Sequence, residues 1–143
     1  MIVIDANLLI YAVNRDAPLH GRAKAWLEQT ISGSETVGLS WSALLAFLRL
    51  TTRPGLFRRP LSVDAALDLI GTWLDKDSVT LIHPGPRHYQ LLRDLLIECG
   101  TGGNLTSDAH LAALAIEHGA ALYSLDGDFS RFPRLDWRNP FKP

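Results

Sequence analysis

The run Ile2-Val3-Ile4, closed by Asp5 and followed by Asn7 and the apolar Leu8-Leu9-Ile10, constrains the fold of this chain more than any other stretch. Three β-branched residues with no polar alternation read as a strand buried on both faces, the habit of a central strand in a parallel sheet. Asp5 then stands at the strand's carboxyl end. In open α/β sheets that is the edge where loops converge and ligands bind, so its carboxylate is a candidate site residue. The plainer alternative is an aspartate that ends the strand and caps the following helix.

Downstream, helical and strand-like segments alternate. Ala23, Trp26, Leu27, Thr30 and Ile31 recur at helical spacing after the break at Asp16-Ala17-Pro18, and Ser32-Gly33-Ser34 separates them from a short strand over Thr36 to Leu39. Trp41 to Thr52 is apolar on nearly every side, which predicts a mostly buried helix stopped by Arg53-Pro54-Gly55. Ser62 is the N-cap of a helix with Val63, Ala66, Leu67, Ile70 and Leu74 on one face. Val79 to Ile82 follows as a strand, then a helix marked by His88, Leu91, Leu92, Leu95 and Leu96 and ended near Gly100. Leu105 to His118 is an Ala/Leu-rich helix ended by Gly119, Ala120 to Tyr123 is a strand, and a last short strand is placed near Leu135 to Trp137. Strands alternating with helices predict an α/β fold, a three-layer α/β/α sandwich around a mainly parallel four- or five-stranded sheet. With 143 residues and 47% hydrophobic content, residues 1–143 read as a single domain with one substantial core, its tail lying on the surface.

Composition narrows the function classes. No apolar run approaches the roughly 20 residues of a membrane span, and the N-terminus lacks the pattern of a secretory signal, so a soluble, non-secreted chain with no membrane partner is expected. Cys99 is the only cysteine, which excludes an internal disulfide, fits the reducing cytoplasm, and leaves the thiol a packing role. A formal charge of −1 gives no global signature of nucleic-acid binding, so any such contact rests on a local patch.

Three features place acids at one sheet edge. Asp5 follows the first strand, Asp126 and Asp128 follow the Ala120 to Tyr123 strand, and Asp108 opens the helix that leads into that strand. If the two strands are neighbours, four carboxylates come together. Each has a plainer reading: Asp108 complements a helix dipole, and Asp126-Gly127 is a turn. Clustered carboxylates repel and raise one another's pKa, so such a group calls for a cation or shared protons. All-oxygen donors without His or Cys point to Mg²⁺ or Mn²⁺ rather than zinc, and the chemistry implied is phosphodiester hydrolysis. No Walker loop, Ser-His-Asp order or zinc spacing competes.

The segments Ile2 to Ile10, Trp41 to Arg49, Asn104 to Ala115 and Leu122 to Phe129, in that order along essentially the whole chain, resemble a PIN-domain ribonuclease, and within that family the VapC-type toxins of bacterial toxin-antitoxin pairs. The resemblance implies an endoribonuclease acting on structured RNA such as transfer RNA, with Asp5 and Asp108 as principal metal ligands and Asp126 and Asp128 completing the acidic site. It implies a hydroxyl role for Ser124 beside the metal waters and a polar neighbour in Asn7. It also implies a homodimer and a cognate antitoxin. One departure stands out: many PIN domains carry a glutamate where this chain reads Leu45-Ala46-Phe47. An inactive PIN-like binding module is the main rival. A haloacid-dehalogenase-like phosphatase is the other, disfavoured because it needs a second acid where Asn7 stands.

Two stretches are candidate partner surfaces. Arg49, Arg53, Arg58 and Arg59, near Trp41 and Phe57, suit phosphate contacts and base stacking on RNA, or else a solvated helix end. Trp41, Phe57 and Trp73 exceed what one sheet face needs and are expected either to line a groove for the antitoxin or to pack into the core. The five histidines are scattered and read as surface or capping residues.

Overall fold

The computed structural model describes residues 1–142. Five strands, β1 (Ile2–Ile4), β2 (Val37–Ser40), β3 (Val79–Ile82), β4 (Ala121–Tyr123) and β5 (Trp137–Arg138), form one sheet in the order β3-β2-β1-β4-β5, every pair parallel. Six helices complete it: α1 (Ala6–Val13), α2 (His20–Ser32), α3 (Trp41–Thr52), α4 (Val63–Leu74), α5 (His88–Cys99) and α6 (Leu105–Glu117). Helices α1 to α4 pack on one face around Leu8, Leu9, Leu44 and Phe47, and α5 and α6 cover the other around Leu95, Leu114 and Phe129. The sandwich and the upper of the two strand counts are therefore as the periodicity predicts.

The chain winds outward from β1 through β2 to β3, then returns to lay β4 on the other side of β1. The order reverses between β1 and β4, and that reversal opens a crevice at their carboxyl ends. Register places Ile4 beside Tyr123, so the residues that follow, Asp5 and Ser124, emerge side by side. Gly119, at φ +63°, ends α6 in the left-handed region that a side chain disfavours and turns the chain into β4. Gly38 in β2 is set by space: a Cβ there would lie 3.0 Å from the Ile82 side chain.

Most boundaries fall within one or two residues of the sequence expectation. Helix α2 is longer, starting at His20, and β5 is Trp137–Arg138. Helix α3 is less enclosed than its composition predicts: Ala43, Leu44 and Phe47 face the core, while Trp41 and Leu45 are 46% and 56% exposed. Ser62 caps α4 as expected, its Oγ accepting from the Ala65 N–H at 3.1 Å. A 3-10 turn over Gly127–Arg131, read in the sequence only as a turn, seats Phe129 in the core. Among the described residues no helix is long and apolar enough to cross a membrane. Of the surface tail, Pro143 lies outside the described residues.

Candidate metal centre

Asp5 leaves β1 and does two things at once. Its Oδ1 accepts from the Ala6 N–H at 2.7 Å, capping α1, and its Oδ2 accepts from the Ser124 hydroxyl at 2.7 Å. The capping and functional readings thus coincide in one residue. Asn7, the second residue of α1, donates from Nδ2 to Ser124 Oγ at 3.0 Å and to Asp5 Oδ2 at 3.3 Å, while its Oδ1 accepts from the Leu125 N–H at 3.4 Å. Ser124 is fully buried and its Oγ also accepts from the Asp126 N–H at 3.0 Å. A serine can accept twice while donating once, so this hydroxyl serves as the hinge between β1, α1 and the loop after β4.

That loop carries the next acids. Asp126 Oδ1 accepts from the Asp128 N–H at 2.9 Å, which curls the chain into the 3-10 turn and aims both carboxylates back at the crevice. Asp108 arrives from the first turn of α6, where the helix dipole favours a negative charge. Asp108, Asp126 and Asp128 each offer a carboxylate oxygen within 4.8 Å of the others. Asp128, expected as auxiliary charge, joins Asp108 and Asp126 at that spacing, while Asp5, expected as a principal ligand, lies beside the group with its oxygens accepting from Ala6, Ser124 and Asn7.

Electrostatics ties all four acids together. Burial pushes the Asp108 carboxyl up to about 6, helped by the charges of Asp126, Asp5 and Asp128 in that order. Asp5 is also raised, chiefly by burial and slightly by Asp126, against the lowering effect of its bonds from Ser124 and Ala6. No Lys or Arg ion pair relieves the trio among the described residues. A crowded, all-oxygen, under-neutralised donor set is what a hard divalent cation needs, so these residues fit Mg²⁺ or Mn²⁺.

A contact that the sequence reading missed supports the hinge. Trp137 Nε1 donates to the Ser124 carbonyl at 3.0 Å, and the Ser124 N–H donates to the Arg138 carbonyl at 3.1 Å. Strand β5 left only a two-residue trace in the sequence, too short for periodicity to reveal which residue braces the site.

A family model described as "PIN domain" matches residues 2–135. The chain belongs to the PIN-domain family. Ribonuclease VapC37 of Mycobacterium tuberculosis is 46% identical over 140 residues, covering 98% of this chain and 97% of the relative, which places it among the VapC ribonucleases of that family. Two solved structures share the fold. Mycobacterium tuberculosis VapC20, described as a sarcin-ricin loop cleaving toxin, superposes with a TM-score of 0.71 at 22% identity, covering 97% of this chain and 100% of the other. VapBC2 from Rickettsia felis, bound to a DNA fragment from its promoter, superposes at 0.68 and 22% identity, covering 97% and 98%.

The surfaces read from sequence fare differently from the acids. Trp73 is 7% exposed and meets Phe47 edge-on at 5.0 Å, and Phe57 is 8% exposed, whereas Trp41 lies open at the start of α3. The three therefore do not line one groove. Trp73 is core packing between α3 and α4, and Phe57 lies at the floor of a cleft of about 970 Å³ whose rim carries Arg15, Lys24, Arg58 and Arg59. Helix α3 runs away from the acidic edge, so Arg49 in its last turn and Arg53 at its end are carried to the far side of the layer. Arg58 and Arg59 face the carboxyl end of α1, about 12 Å of helix from the end that Asp5 caps. At the position of the missing glutamate, Phe47 is fully buried and serves the core.

Proposed function

We propose that the chain is a divalent-metal-dependent endoribonuclease of the toxin type that cuts structured RNA, transfer RNA among the candidates, and is held inactive by a cognate antitoxin. The observation that carries this reading is the meeting of Asp108, Asp126 and Asp128 within 4.8 Å beside the hydrogen-bonded Asp5. Asp108, Asp126 and Asp128 would hold the cation. When bound, Mg²⁺ or Mn²⁺ supplies a more acidic water and neutralises charge on the phosphate.

The chain's own groups do the rest. Ser124 and Asn7 fix the Asp5 carboxylate in one orientation, so its charge faces the trio and the crevice without reorganisation. The Asp126 bond from the Asp128 N–H holds the loop at the spacing a cation requires. Burial of Ser124 and the brace from Trp137 exclude water behind the acids.

VapBC2 is a toxin-antitoxin complex, and an antitoxin for this chain has a suitable place in the 970 Å³ cleft. Its floor is apolar, through Phe57, Leu61 and Leu69, and four cations rim it against the single acid Asp16. That pattern fits an acidic, amphipathic segment. The buried Phe47 favours one second reading, a PIN-like binding module without turnover, because no acid stands there.

Cleavage of total bacterial RNA in Mg²⁺ or Mn²⁺, with product ends mapped, tests the proposal against a chelator control and the Asp108→Asn variant. Discrete products that vanish in both controls are expected. A folded, metal-binding chain that leaves all RNA intact would replace the nuclease reading with the binding module.

A further inference from the structure

A second cleft, of about 790 Å³, opens beside β4 and is lined by Trp26, Tyr123, Trp137, Arg138 and Lys142 among others. Two half-buried aromatic rings, Trp26 and Tyr123, lie on this face of the sheet, while the Trp137 ring packs against the core on the other face; rings that served only the core would be enclosed. Trp26 and Tyr123 lie with centroids 5.3 Å apart and planes tilted by 33°. The Arg138 guanidinium sits 5.9 Å from the Tyr123 centroid, and its Nη1 donates to the Tyr123 hydroxyl at 3.4 Å. Its orientation is fixed by Asp136, which accepts from Nε at 3.1 Å and from Nη2 at 2.9 Å. Arg138 thus contributes a planar face more than a net charge, and the cation is supplied by Lys142, which has no ion pair among the described residues.

The cleft is continuous with the acidic site through one residue. Trp137 donates to the Ser124 carbonyl and Arg138 accepts from the Ser124 N–H, while the Ser124 hydroxyl holds Asp5. Asp126 follows two residues on. Tyr123 directly precedes Ser124, so the cleft opens next to the acids, and a polynucleotide whose phosphate lies there can present a neighbouring base to Trp26 and Tyr123. Flat aromatic faces, a fixed guanidinium plane and one free ammonium are the chemistry that stacks a base and steadies its phosphate.

We propose that this cleft is a stacking subsite for one unpaired nucleotide flanking the phosphate bound at the acidic site. The assignment rests on the ribonuclease reading for its orientation, but base binding itself is independent of turnover.

The test uses the full chain in chelator, so that nothing is cut, titrated with a single-stranded oligoribonucleotide of about eight nucleotides. The four tryptophans give four indole N–H signals in a nitrogen-proton correlation spectrum, one each from Trp26, Trp41, Trp73 and Trp137. RNA is expected to shift Trp26 and leave buried Trp73 in place. Trp26→Leu, which keeps apolar bulk, is expected to weaken binding by between about fivefold and a hundredfold, the range for one base-aromatic stack. Lys142→Ala, at an exposed position with no cost to packing, is expected to weaken it further and flatten its salt dependence. Shifts confined to Trp41, no shift at any signal, or two folded variants that bind RNA like the wild type would each overturn the subsite and leave the ribonuclease reading intact. The same Trp26 shift produced equally by a polyglutamate peptide would reassign the cleft to an acidic protein partner. Retained shifts in a chain that cleaves no RNA in Mg²⁺ or Mn²⁺ would instead remove the nuclease reading and keep the subsite.

Discussion

Replacing Asp108 by Asn should make the metal-free protein more stable while removing its activity. The Asp108 carboxyl is lifted from 3.8 to about 6, first by burial and then by its acidic neighbours. At about 1.36 kcal/mol per unit, that is ~3 kcal/mol of cost for holding the charge in the folded chain at neutral pH. The group is only half-buried, and solvent screening roughly halves the figure, to ~1–1.5 kcal/mol. Between pH 4 and 6 the folded chain keeps a proton that the unfolded chain gives up, so wild-type stability falls as pH rises through that window. The Asp108→Asn variant has no such proton and does not follow. In chelator at pH 7.5 its Tm should exceed the wild type by about 2–6 °C, and the gap should narrow by more than half near pH 4.5. Scanning calorimetry at the two pH values reads this directly. Mg²⁺ at ten times its dissociation constant should then restore ~1.4 kcal/mol to the wild type and little to the variant. A variant that melts below the wild type in chelator, or that gains as much from Mg²⁺, would refute the account of a repelling, cation-hungry cluster.

Ser124→Ala removes the donor that holds the Asp5 carboxyl down and strands Asn7 and the Asp126 N–H, so a loss of ~1–3 kcal/mol in urea unfolding is expected. The acid limb of its cleavage profile should move to higher pH, because Asp5 loses one of its two lowering partners. Phe47→Glu puts a charge where a fully buried ring meets Trp73; it should cost more than the ~3–5 kcal/mol of a Phe→Ala change and yield no gain in metal affinity by calorimetric titration. Metal affinity of the wild type should weaken below about pH 6, as protons compete at Asp108, a trend measurable by the same titration. Glu117 accepts from the Gly85 and Arg87 N–H groups at 2.7 and 2.8 Å, bonds that hold its carboxyl low, so Glu117→Ala should speed amide exchange at those two residues while leaving β1 and β4 unchanged.

The fold was legible because its signals are local and repeated. Ile2-Val3-Ile4 without alternation marks a doubly covered strand, Ser62 before Val63 marks a helix start, and Gly119 after an Ala/Leu run marks an end. The acids were legible because topology alone sends Asp5 and the segment after Tyr123 to one edge once β1 and β4 are neighbours. Which oxygens gather was not, since that depends on side-chain commitments: capping and the Ser124 bond occupy Asp5, and an aspartate-capped turn swings Asp128 inward. The surfaces misled for a related reason. Arg49 and Arg53 are close in sequence to Trp41, but a helix converts that closeness into distance, about 18 Å from end to end over twelve residues. Trp73 and Phe57 show the limit of counting apolar residues, because composition does not say which aromatic fills an interior and which floors a cleft.

The bond between Asp5 and Ser124 spans 119 residues of chain, and two of the clustered acids, Asp126 and Asp128, come later still. During synthesis Asp5 precedes the segment it needs, and β1 has no partner on its β4 side until residues 121–123 have followed. Until then the acids that meet in the folded chain stay apart. The cluster is complete only with β4 docked against β1 and the loop behind it set against Asp108. A chain ending before β4 carries Asp5 without Ser124, Asp126 or Asp128 to surround it.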